Sequence, residues 1–141
     1  MKKMSEAEVK SFLLDQPRTG KLATVRADGR PHLAPIWFDL DGEQLIFTTW
    51  HESVKAANLQ RTGQAALCVD EAAPPFAYVI IEGTVTISTD LAELRQWATR
   101  IAGRYMGPAQ AEAFGRRNGV EGELLVRLTP TKTIAHKNIS D

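Results

Sequence analysis

The chain has 141 residues, 17 Lys plus Arg against 17 Asp plus Glu, and 43% hydrophobic residues, which suits one globular domain spanning residues 1–141. Balanced charge without basic runs excludes a broad nucleic-acid surface, and the composition is not that of a disordered tail. No run approaches the roughly 18 apolar residues of a membrane span, MKKMSEAEVKSFLL lacks a leader's apolar stretch, and the lone Cys68 has no partner for an internal disulfide, so the expectation is a cytoplasmic protein without a membrane partner.

Ser5 precedes Glu6 and Glu8, and Val9, Phe12 and Leu13 recur at helical spacing, predicting a short helix over 5–15 that ends before Pro17. Asp28-Gly29 and Asp41-Gly42 each separate β-rich runs, the strongest hairpin signal a sequence offers, so a meander of strands over 21–26, 32–39 and 44–49 is expected. A short helix follows from about Ser53 to a stop at Arg61-Thr62-Gly63, and then QAALCVD reads as a fourth strand that Pro74-Pro75 terminates. Cys68 within it suits a small buried side chain.

FAYVIIEGTVTIS is the clearest strand, with Val79, Ile81, Val85 and Ile87 on one face and Tyr78, Glu82, Thr84 and Thr86 on the other. Gly83 marks a bulge or a close backbone approach. Asp90 caps a helical segment through Gly107, a second helical piece follows Pro108, and ELLVRLTP with TKTIAHK reads as a final strand pair. Seven short strands joined mostly by hairpins, with few helices, predict a mainly β protein, an antiparallel barrel with helices outside.

The chemistry concentrates in FTTWHESVKAANL, residues 47–59, where a strand runs into a helix start. Thr49, Ser53 and unpaired helix N–H groups converge there, a natural anion site, and Lys55 in the first turn opposes the macrodipole unless an anion is bound. The same residues also fit plain capping, because Thr49-Trp50-His51-Glu52 has the T-x-x-E pattern with Lys55 free to point into solvent. No Rossmann or P-loop glycine motif is present. The histidines, His32, His51 and His136, lack metal-ligand spacing, no serine sits in a G-x-S-x-G elbow, and Glu82 reads as an exposed strand carboxylate. Trp37, Trp50 and Phe76 suit either core packing or stacking on a flat ligand. With no acid–base constellation, no catalytic side chain is assigned; a cofactor would carry any reaction.

The order GKLATVRADGRPHLAPIWFDLDGEQLIFTT, SVKAANL, AALCVDEAAPPFAYVIIEGTVTI resembles the FMN-binding split β-barrel of the pyridoxamine 5′-phosphate oxidase superfamily, and is more closely similar to its branch using the deazaflavin F420. The resemblance runs from about Leu13 to His136. It implies a homodimeric split barrel with cofactor sites at the subunit interface. Thr49, Ser53 and Lys55 would hold the cofactor phosphate, Pro35, Ile36 and Trp37 would lie along its ring system, Asn58 would hold the helix within the same motif, and Phe76 would reach the partner's cofactor.

Two departures shape the expected chemistry. The parent oxidase has adjacent Arg and Lys at the helix start, whereas Val54 precedes Lys55 here, and its Trp- and Arg-containing substrate segment is replaced by TKTIAHKNISD. F420 is thus the expected cofactor and FMN the alternative, with Lys21, Arg26 and Arg30 as candidates for the acidic F420 tail. The implied activity is hydride transfer to a small conjugated substrate; the alternatives are an FMN-dependent oxidoreductase or a non-catalytic flavin- or F420-binding protein.

Overall fold

A reciprocal pair of polar groups starts the first helix. In a computed structural model describing residues 1–141, α1 spans Glu6–Asp15: Ser5 Oγ accepts from the Glu8 N–H at 3.2 Å and Glu8 Oε1 accepts from the Ser5 N–H at 3.1 Å. This capping box satisfies two N–H groups, and the helix buries Phe12 and Leu13 in the core. A two-residue strand, β1 (Lys2–Lys3), precedes it.

Two hairpins follow. β2 (Gly20–Val25) pairs with β3 (Pro31–Ile36) around Asp28-Gly29, and β4 (Asp39–Asp41) pairs with β5 (Gln44–Trp50) around a two-residue loop in which Gly42 takes φ 59°. Helix α2 (Val54–Thr62) leads to β6 (Gln64–Glu71) and the long β7 (Ala77–Ser88). Helix α3 (Leu91–Met106), a 3-10 turn at Pro108–Gln110 and α4 (Ala111–Asn118) cross outside the sheet before β8 (Glu123–Lys137).

The strands form one antiparallel sheet in the order β3-β2-β6-β7-β8-β5-β4, with β1 on β8. Its edge strands, β3 and β4, are joined by Trp37 and Phe38 alone. Three Cα steps hold those edges within about 11 Å, so the sheet must curl shut. No strand pairing closes the seam, and the result is a split barrel. This also corrects the expected meander: the run 32–39 divides at Trp37, and its halves go to opposite sheet edges.

The expected final strand pair is one strand of 15 residues. The division expected after Pro130 does not occur: this proline stands opposite Gly83 at a register shift, where Thr131 is the extra residue of a bulge and a missing N–H costs little. A Cβ at Gly83 would collide with the Thr129 carbonyl, so bulge and close approach coincide at this glycine.

Strand alternation sorts the side chains. Leu45 and Phe47 of β5 are fully buried in the barrel with Phe38, Leu67, Val69 and Val79, while Ile46 points outward and packs with Leu125 beneath Leu94 and Trp97 of α3. Each such Leu, Val, Ile or Phe stabilises by about 1.5–3 kcal/mol. Glu82 is exposed, and Cys68 is only half-buried on the outer face, where burial pushes its thiol pKa up; it is not the core residue expected. No helix is long and apolar enough to cross a membrane.

Candidate functional site

The helix start after β5 is built by serine. Ser53 is the N-cap of α2: its Oγ accepts from the Ala56 N–H at 3.1 Å, and its own N–H donates to the Trp50 carbonyl at 3.0 Å. Thr49, facing the barrel interior with 4% exposure, shares a 2.8 Å hydroxyl–hydroxyl bond with Ser53. Thr49 therefore buttresses the cap, and the expected T-x-x-E box with Glu52 does not form. The first-turn amides of Val54 and Lys55 have no upstream helical acceptor. Lys55 is half-buried and joins no ion pair.

Lys55 opens into a cleft of about 380 Å³ beside the barrel seam. One wall is Thr19 with Pro35, Ile36 and Trp37; Thr48 and Lys55 contribute from β5 and α2, and Ala98, Ile101 and Asn118 from α3 and α4. The Trp37 ring stacks on Tyr105, centroids 5.1 Å apart and 3° from parallel, with Phe114 tilted against it at 6.4 Å. Tyr105 is itself anchored: its hydroxyl donates to the Arg18 carbonyl at 2.8 Å and accepts from the Phe38 N–H at 3.2 Å. Burial raises the phenol pKa, so it stays protonated for this role.

Near Lys55, but not lining the cleft, is a carboxylate. Glu123, paired in register with Trp50, is half-buried, and burial pushes its carboxyl above the ordinary range although Lys55 and His51 pull the other way. The backbone N–H and the Nδ1 of His51 both meet the Gly122 carbonyl at 2.9 Å, which ties the loop before β8 to the start of α2. His51 is thus a clamp on that loop, and Trp50, 44% exposed, lies against it.

Four of the residues singled out in the sequence, Pro35, Ile36, Trp37 and Lys55, meet in this one cleft. Ser53 and Thr49 support it from behind. Asn58, 2% exposed, is turned away: its Nδ2 donates to Thr24 Oγ1 at 3.0 Å and its Oδ1 accepts from Arg61 at 3.1 Å, fastening α2 to β2. Phe76 lies between β6 and β7 with φ 60° and 38% exposure, outside the cleft of its own chain. Of the cations proposed for an acidic tail, Lys21 is paired with Asp70 at 3.0 Å and Arg30 with Asp28 at 2.8 Å.

Sequence reasoning missed Thr48, Thr19, Ala98, Ile101 and Asn118. Thr48 was within reach: outward-facing Ile46 sets the parity of β5, and that parity puts Thr48 on the cleft side and Thr49 inside. The contributions of α3 and α4 carried no signal, because they depend on where the helical pair docks.

A split barrel with a half-buried lysine at a helix start and an aromatic-walled cleft defines a class of fold, and the chain belongs to the pyridoxamine 5′-phosphate oxidase family, whose model matches residues 5–137. It is 31% identical over 97 residues to an F420H(2)-dependent biliverdin reductase of Mycobacterium tuberculosis, covering 67% of this chain and 69% of that protein. Among solved structures it is similar to a conserved hypothetical protein of Mycobacterium tuberculosis (TM-score 0.85, 26% identity, 97% of this chain and 87% of the other). It is also similar to an F420 reductase (TM-score 0.69, 29% identity, 87% of this chain and 94% of the other).

Proposed function

We propose that the protein is an F420-dependent oxidoreductase that passes a hydride between the cofactor and a small conjugated substrate. The observation that carries this reading is Lys55, a cation at the start of α2 that joins no ion pair and lines the cleft walled by Trp37. That donor set fits a phosphate joined to a flat ring: charge at one end, aromatic and aliphatic surface at the other. Similarity to two F420-linked proteins favours the deazaflavin over other phosphorylated rings.

The bound deazaflavin would supply the hydride chemistry. The protein's part is binding and orientation: Lys55 and the α2 amides hold the phosphate, Ile36 and Pro35 support the ring, and Trp37, immobilised by Tyr105, fixes the wall against which it lies. No side-chain acid is required in the cleft for this role.

We place the working unit as a homodimer. Leu33 (69% exposed) and Val25 (49% exposed), with Pro31 and Pro35, leave an apolar outer face on β2 and β3 next to the cleft, which supports association there. Phe76 would reach the neighbour's site across it.

Titration of the purified protein with F420 and with FMN tests the reading. Binding of F420 supports it, and binding of FMN without F420 would sink it. The second reading, an FMN-dependent oxidoreductase of the same fold, is favoured by the pairing of Lys21 and Arg30 with carboxylates, which leaves a long acidic tail fewer free cations at the first hairpin. A non-catalytic binding role predicts no cofactor oxidation above background with an added electron acceptor.

A further inference from the structure

The wall of the cleft opposite β3 is helical, and its geometry has a direction. Phe114 and Asn118 lie four residues apart on α4, one turn along the same face. Phe114 meets Trp37 at 6.4 Å, and Asn118, one turn further on, lines the cleft that Trp37 and Lys55 share. After Asn118 the chain returns to the start of α2, where the Gly122 carbonyl accepts from His51. Helix α4 therefore runs along the cleft from its aromatic end to its cationic end.

Asn118 is held there without side-chain help. It is half-buried, it lines the cleft, and its carboxamide joins none of the protein's side-chain hydrogen bonds. Its position is set by close helix packing instead: a Cβ at Gly115 would collide with Thr99, and one at Gly119 would come within 2.7 Å of Arg95 Cα. The helical pair has little freedom to slide, which pre-organises the amide.

Building on the reading of the cleft as a flavin or deazaflavin site, we propose that Asn118 recognises the ligand's polyhydroxyl chain, the segment between phosphate and ring. Two arguments separate this from a phosphate contact. Asn118 ends α4, and the partial negative charge of a helix C-terminus disfavours an anion, while Lys55 and the α2 N-terminus already serve one. A carboxamide both donates and accepts, and a row of hydroxyls does the same, whereas a phosphate only accepts at neutral pH.

The test compares phosphorylated and unphosphorylated ligands on wild type, Asn118→Ala and Lys55→Ala. FMN is paired with riboflavin, and F420 with its dephosphorylated, tail-less form. Asn118→Ala is expected to weaken both members of a pair by the same factor, about three- to tenfold, the scale of one neutral hydrogen bond. Lys55→Ala should weaken only the phosphorylated member, and the melting temperature of Asn118→Ala should match wild type. In 15N-labelled protein, the Asn118 side-chain NH2 signals, identified by their loss in the variant, should shift on adding the unphosphorylated ligand. Equal affinities of Asn118→Ala and wild type would overturn the assignment, as would a loss confined to the phosphorylated ligand. Wild type that binds neither flavin nor deazaflavin would overturn the functional reading and this inference together, whereas wild-type binding with an indifferent Asn118→Ala overturns the inference alone.

Discussion

Replacing Lys55 by alanine removes the charge on which the phosphate assignment stands. In the ligand-free protein the side chain has little to lose: it joins no ion pair, it opposes the α2 macrodipole, and its attraction to Glu123 acts in the other direction. Both effects are a few tenths of a kcal/mol at a half-exposed position, so the variant's stability should stay within about 0.5 kcal/mol of wild type. With a phosphate bound, the loss is a charge-assisted hydrogen bond, about 1.5–3 kcal/mol, or roughly 10- to 150-fold in Kd. Flavin fluorescence quenching with FMN and riboflavin in parallel reads this directly, and the FMN arm should also lose part of its salt dependence. An unchanged Kd for FMN, or an equal loss for riboflavin, would refute the reasoning, because neither is compatible with a phosphate at Lys55.

Other side chains make separable predictions. Tyr105→Phe keeps the stack on Trp37 but leaves the Phe38 N–H without its acceptor and Arg18 O without its donor, so urea denaturation should show a loss of about 1–3 kcal/mol. Asn58→Ala should cost a similar amount in the same assay, since Thr24 Oγ1 loses its donor at a buried position and Arg61 loses an acceptor, and a fully stable variant would contradict the fastening role. Glu123 has a folded-state pKa above its unfolded one, so ionising it costs the folded protein stability as pH rises from the ordinary carboxylate range through the raised value. Glu123→Gln should therefore match wild type in melting temperature at acidic pH and exceed it at neutral pH; the opposite trend would mean that Lys55 and His51 outweigh burial.

Much of the site was legible because its parts are local. The capping hydroxyl of Ser53, the misplaced cation of Lys55 and the strand running through Pro35, Ile36 and Trp37 are written within short windows, and four of those residues share one cleft. What was misjudged depended on parity and pairing. Thr49 and Thr48 are indistinguishable in composition, yet one strand step sends the first inward to Ser53 and the second outward to the cleft. Thr49 was also read as half of a capping box, but the chain turns once more, through Ser53 and the Trp50 carbonyl, before the helix begins.

Hydrophobic alternation, Asp-Gly turns and capping residues act over a few residues, and by themselves they determined a mainly β chain with its hairpins and the starts of α1, α2 and α3 at Ser5, Ser53 and Asp90. Tertiary structure alone decided that the strand broken at Trp37 serves both edges of one sheet, that β8 runs unbroken past Pro130, and that α3 and α4 close the cleft with Ile101 and Asn118. The reason is range. A turn is set by the dihedral preferences of neighbours, whereas sheet order and helix docking are set by which apolar faces bury one another across tens of residues, and no local window records that choice.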